Sequence, residues 1–109
     1  MRVAGAFGAG MARTGETCGA VTGALMVIGL RRAKVRPDDD ASRELAYSLA
    51  QEFMETFRER NGSLLCRDLL GVDVSTPEGM KEVRKKDLFA TVCTKFVRDA
   101  GEIIEEILR

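Results

Sequence analysis

The chain has 109 residues, 17 basic and 17 acidic, with a formal net charge of +0, three cysteines, no histidine and no tryptophan. A neutral balance argues against nucleic acid or an anionic membrane surface as partner. The absence of histidine removes Ser–His and Cys–His nucleophile pairs and every His-ligated metal site. Chemistry is left to cysteine, carboxylates, lysine, arginine, Tyr47 or a bound group.

Residues 1–14 are small and glycine-rich, anchored by Phe7 and Met11. They lack the apolar core and cleavage site of a signal peptide. Gly8-x-Gly10 resembles the start of a dinucleotide loop, but no strand precedes it and Arg13 stands at the third glycine position. The first long helix is predicted from Glu16 to Ala33, capped by Thr14 or Thr17, with Arg31, Arg32 and Lys34 at its negative end. Gly15, Gly19 and Gly23 recur every fourth residue, so one face carries almost no side chain and invites close approach of another backbone. Thr17–Leu30 is uncharged for 14 residues, too short to span a bilayer, which takes about 20.

Lys34–Asp40 reads as a polar loop, with Asp38, Asp39 or Asp40 capping the next helix, Asp40–Arg60. Leu45, Leu49, Phe53 and Phe57 follow at four-residue steps and form its core stripe. Asn61-Gly62 signals its end. Ser63 caps a short helix over Leu64–Leu70 that is stopped by Gly71, and Val72–Ser75 is a connector. Thr76-Pro77-Glu78 opens a largely polar helix reaching about Lys85, which is expected to cover the core. The last helix is predicted over Val92–Leu108, capped by Thr91. Its apolar face is Cys93, Phe96, Val97, Ala100, Ile103, Ile104 and Ile107. The expected architecture is all-α: one domain over residues 1–109, an irregular bundle of four to five helices.

On this reading Cys18, Cys66 and Cys93 each lie in the first turn of a helix. Unpaired N–H groups there favour a thiolate, and so a nucleophile or metal ligand. Arg13, Arg67 and Lys95 lie nearby in sequence. The opposite reading is that the cysteines are small buried apolar groups. No Cys-x-x-Cys is present, and so sparse a set of cysteines suits the cytoplasm better than a secreted disulfide scaffold.

Cys18-Gly19-Ala20-Val21-Thr22-Gly23, with the preceding Phe7–Thr17, resembles the signature of the C_GCAxxG_C_C family of small redox-active proteins. Asn61–Gly71, around Cys66, and Cys93–Ala100 resemble its third and fourth cysteine regions. The resemblance implies redox activity through cysteines, with an iron–sulfur cluster or similar group in some members. It also implies a redox partner or a transporter-associated protein. The family's first cysteine belongs to a helix upstream of the glycine-rich segment, and Met1 comes after that point. Three thiols, not four, are therefore expected. Apolar surface is expected near the first long helix and the last one, with self-association through it.

Three functions follow. In the first, Cys18 is the attacking thiolate and Cys66 and Cys93 resolve. In the second, Cys18, Cys66 and Cys93 hold zinc or an iron–sulfur cluster with a fourth ligand from Glu16, a partner or solvent. In the third, the chain is a helical interaction module with inert cysteines.

Overall fold

A computed structural model describes residues 7–32 and 40–108. Among them the elements are α1 (Gly8–Met11), α2 (Gly19–Arg32), α3 (Asp40–Asn61), α4 (Cys66–Leu70), α5 (Pro77–Lys86), α6 (Leu88–Thr91) and α7 (Cys93–Ile107). The all-α expectation is met. Two four-residue turns, α1 and α6, add to the helices predicted from periodicity. The Lys34–Asp39 loop and the candidate caps Asp38 and Asp39 lie outside the described residues.

Three long helices build the main core. α2 contributes Val21, Ala24 and Ile28, α3 contributes Ala46, Phe53 and Phe57, and α7 contributes Phe96, Ala100 and Ile103. Phe53 and Phe57 are fully buried and stack at 5.9 Å between centroids; Phe96 tilts onto Phe57 at 6.3 Å. Such pairs add to the gain from burial alone. The predicted stripes of α3 and α7 are largely right, with two corrections. Leu45 is 48% exposed, and Ala46 takes the buried position. Val97 is 62% exposed, on the rim of an apolar groove between α2 and α7.

A second, smaller core forms beneath α5. Val83 and Val74, both fully buried, pack with Cys66 and are lined by Leu70, Met80 and Leu88. α5 therefore covers the core, as expected, and also anchors one of its own. Its start is as predicted: Thr76 Oγ1 accepts from Gly79 N–H at 3.0 Å and Pro77 occupies the first turn. Thr91 does not cap α7; its hydroxyl donates back to Asp87 O at 2.9 Å within α6, and the cap position falls to Val92.

α2 begins three residues later than predicted, and Thr14 and Thr17 do not cap it. Residues 15–18 instead cross residues 64–67 in antiparallel sense about a Thr17–Leu65 bridge. Cys18 N–H donates to Leu64 O at 2.8 Å, Cys66 N–H to Glu16 O at 2.6 Å and Arg67 N–H to Gly15 O at 3.1 Å. Cys18 takes the cap position, its carbonyl accepting from Val21 and Thr22.

The segment before this crossing is unusual. Ala9, Gly10, Met11, Ala12 and Arg13 all have positive φ, from 52° to 69°, so α1 is a left-handed turn. Each non-glycine residue there costs roughly 1–2 kcal/mol. The turn is held by Arg13 N–H to Gly8 O at 3.2 Å, Glu16 N–H to Gly10 O at 2.9 Å and the Thr14 hydroxyl to Gly10 O at 2.5 Å. It opens no helix, so Gly8-x-Gly10 makes no phosphate loop.

Candidate functional site

The site is built around the crossing. The crossing ties the backbones of Cys18 and Cys66 together, but Cys18 packs in the main core and Cys66, which opens α4, in the smaller one. Gly10 makes the geometry possible. A Cβ at Gly10 would stand 2.6 Å from Cys66 Cβ and 2.7 Å from Glu16 N, and φ there is +69°. The left-handed turn thus lies against the backbone that carries Cys66.

Cys93 comes from the first residue of α7, and its side chain packs on the main core together with Cys18. Cys18 and Cys66 are buried, Cys93 is half-buried, and all three are free thiols. Their charges are coupled: a thiolate at Cys18 or Cys93 opposes ionisation of Cys66, and one at Cys18 opposes ionisation of Cys93. Cys18 and Cys93 thus meet on the main core, while Cys66 belongs to the smaller one.

The expected thiolates are not there. Burial pushes the Cys66 thiol up to about 11, with further contributions from Cys18 and then Cys93. Burial likewise raises Cys93, and raises Cys18 against the opposing N–H groups of Ala20 and Val21. The helix-start effect exists at Cys18, where two backbone donors face the sulfur, but desolvation outweighs it. Two of the three neighbouring cations, Arg67 and Lys95, are engaged elsewhere. Arg67 pairs with Glu16 at 3.4 Å. Lys95 donates to Asn61 at 2.7 Å and to Asp99 at 2.8 Å.

The same geometry tests metal ligation. Among the described residues no group of three His, Cys, Asp or Glu side chains is placed to hold a metal ion. Glu16, the candidate fourth ligand, is taken by Arg67. The thiols are close enough to couple, but they do not converge on one point. They do not fit zinc or an iron–sulfur cluster as they stand.

Among the described residues, the face of α2 carrying Gly19 and Gly23 meets another backbone only at Phe7. The nearest atom to a Cβ at Gly19 would be Phe7 O at 3.9 Å, and nothing lies within 4 Å at Gly23. An apolar groove of about 340 Å³ runs there instead, between α2 and α7, and Gly19 and Ala20 line it next to Cys18. This is the apolar surface expected beside those two helices.

The model of the family described as "Putative redox-active protein (C_GCAxxG_C_C)" matches residues 1–107. The chain belongs to the C_GCAxxG_C_C family. No curated protein and no solved structure matches it. Within the family signature, Cys18-Gly19-Ala20-Val21-Thr22-Gly23 now has a physical reading. The cysteine caps α2, Ala20 and Val21 offer it their N–H groups, and both glycines open onto the groove. Gly10 and the pairing of Glu16 with Cys66 were not foreseen. The only trace in the chain is a glycine whose φ and close contact appear once the fold is known. No described helix is long and apolar enough to cross a membrane.

Proposed function

We propose that this C_GCAxxG_C_C protein exchanges thiols for disulfides through Cys18, with Cys66 and Cys93 as resolving thiols. The observation that carries the reading is the backbone crossing that brings the Cys18 and Cys66 segments together, with Cys93 on the same core as Cys18 and, among the described residues, no ligand set for a metal. Pairwise exchange needs two sulfurs that can meet; a metal needs three or four aimed at one point. Cys18 is the attacker in this reading because the N–H groups of Ala20 and Val21 face its sulfur and its chain neighbours Gly19 and Ala20 line an open groove.

The step balances as follows. The Cys18 thiol loses its proton and attacks one sulfur of a substrate disulfide. The S–S bond breaks, and its electron pair leaves on the other sulfur, which takes up a proton. Cys66 or Cys93 then loses its proton and attacks Cys18 sulfur, expelling the remaining substrate thiolate, which is protonated in turn. Two thiols of the chain become one disulfide, and one substrate disulfide becomes two thiols. The partner is a disulfide-bearing redox protein, including one attached to a transporter, and three free thiols suit a reducing compartment such as the cytoplasm.

The test is a thiol count by mass after equilibration with oxidised and reduced glutathione. The proposal expects loss of two free thiols on oxidation, with Cys18 in the mapped disulfide or mixed disulfide. Three thiols that survive oxidation and alkylate only on unfolding would leave the family's redox label without a role in this chain. The burial of Cys18 and Cys66 favours that second reading, a helical interaction module with inert cysteines.

A further inference from the structure

Cys66 is buried, and the left-handed turn of residues 9–13 is part of its cover. A Cβ at Gly10 would stand 2.6 Å from Cys66 Cβ, and Ala9 packs on the small core that holds Cys66, Val74 and Val83. Away from that core, Met11, Ala12 and Arg13 are exposed. Ala9, Met11, Ala12 and Arg13 hold φ between 52° and 65°, each with its Cβ crowded against the following carbonyl. What ties the turn down by hydrogen bonds is local. Among the described residues, the hydrogen bonds of residues 9–14 close within residues 8–16: Arg13 N–H to Gly8 O, Thr14 N–H to Met11 O, Gly15 N–H to Ala9 O, Glu16 N–H to Gly10 O and the Thr14 hydroxyl to Gly10 O. None of these reaches α4 or α5.

We propose that the left-handed turn is a strained lid over Cys66, which opens by local unfolding and admits reagents to this thiol while the three-helix core stays folded. The conformation that sets Gly10 against Cys66 is the one that local preference opposes. Contact with the small core holds the lid closed, and relief of backbone strain favours the open form. The attachments that position Cys66 lie outside the lid. Cys66 N–H donates to Glu16 O, Arg67 N–H donates to Gly15 O, and Thr76 caps α5, which carries Val83. The turn can therefore lift while the crossing, α4 and α5 stay in place. Gly8 and Gly15 bracket it. A Cβ at Gly8 would meet nothing within 4 Å, and Gly15 holds φ +74°, so both ends can absorb a change in chain direction. Cys18 packs in the main core with α2, α3 and α7 and supplies the comparison within one chain. The inference concerns access to Cys66 and stands whether or not that thiol resolves a mixed disulfide.

The test is iodoacetamide alkylation of the fully reduced full-length chain, with the rate at each cysteine read by peptide mass mapping over a series of sub-denaturing urea concentrations. Cys66 should react by a route nearly independent of urea, because lifting a short turn exposes little surface, whereas the Cys18 rate should climb steeply. Ile103, fully buried in the main core, gives a selective control: Ile103→Val should accelerate Cys18 and leave Cys66 unchanged. Ala12→Gly and Arg13→Gly should each slow Cys66 by about two- to fivefold without urea, because glycine adopts the left-handed region freely and recovers more than the chain entropy it adds. Ala12→Val should accelerate Cys66, since a β-branched residue fits that region worse than alanine. A Cys66 rate with the urea slope of Cys18 overturns the proposal. So does one that Ile103→Val raises as much as it raises Cys18, or one that Ala12→Gly and Arg13→Gly leave unmoved.

Discussion

Cys18 and Cys66 are tied to one short antiparallel crossing, where Cys18 N–H donates to Leu64 O and Cys66 N–H donates to Glu16 O. Each backbone is fixed by the other's segment, and a charge on Cys18 opposes ionisation of Cys66. Burial is the largest cause of the high Cys66 value, about 11, and Cys18 is the next. Cys18→Ala should therefore lower the Cys66 titration midpoint while leaving it above the ordinary 9.0, because burial persists. Cys93→Ala should act in the same direction and less. Thiolate absorbance followed against pH reads this directly. An unchanged Cys66 midpoint in Cys18→Ala would mean that the two sulfurs do not interact.

The same shifts set a pH window for stability. A thiol raised on folding is protonated in the native state at a pH where the unfolded chain has already released its proton. The stabilisation is fully present below about pH 9, the unfolded value, and is lost as pH rises toward 11, the folded value of Cys66. Cys18 and Cys93 are raised for the same first reason and act in the same sense. Urea midpoints should fall steadily between pH 9 and pH 11 in reductant. A variant with Cys66→Ala should show a shallower fall, and an equal slope in both would count against burial of this thiol.

What could be read from residues alone followed the helical period. Phe53, Phe57, Phe96, Ala100 and Ile103 recur at helical spacing and are buried. Thr76-Pro77 and Asn61-Gly62 punctuate the chain as their chemistry requires. The crossing of residues 15–18 with residues 64–67 has no such signal, since it joins a few residues far apart in the chain and repeats nothing. It also displaced the start of α2 past two plausible caps, Thr14 and Thr17. The left-handed run through Met11, Ala12 and Arg13 runs against local preference. Thiol ionisation was misread for a different reason. A helix start is a local feature, whereas the desolvation that outweighs it comes from α3, α5 and α7 folding over the sulfurs.

Gly10 offers a sharp contrast with another glycine. Alanine at position 10 would place a Cβ 2.6 Å from Cys66 Cβ, at a backbone φ of +69°. Neither atom is a flexible side-chain end, so the turn or α4 must move. Gly10→Ala should cost at least about 1–3 kcal/mol and expose Cys66 to faster alkylation. Gly29 sits in α2 with nothing within 4 Å of its would-be Cβ. Gly29→Ala should stabilise by up to about 0.8–1 kcal/mol through helix propensity. Chemical denaturation of the two variants should give opposite signs. Gly10→Ala with unchanged stability and unchanged Cys66 reactivity would contradict the close approach of the left-handed turn to α4.

Asp99 ties α7 to the end of α3 by charge. It is 9% exposed, accepts from Lys95 at 2.8 Å and lies 3.5 Å from Arg60, while Lys95 also holds Asn61. The hydrogen bond from Lys95 is the main cause holding its carboxyl below the usual carboxylate range, against the opposing effect of burial. A carboxyl lowered on folding stabilises above its unfolded value and ceases to do so as pH falls through the folded one. Asp99→Ala removes the acceptor from two cations and should cost about 1.5–3 kcal/mol, the range of hydrogen bonds to charged groups. Asp99→Asn keeps the shape, loses the charge, and should flatten the loss of stability on acidification. Lys95→Met alone should recover part of that effect, and combined with Asp99→Asn it should cost less than the two single changes added together. Urea midpoints at neutral and acid pH for the four chains decide it. Strict additivity would show that Lys95 and Asp99, though in contact, contribute nothing jointly to holding the Cys93 end of α7 against α3.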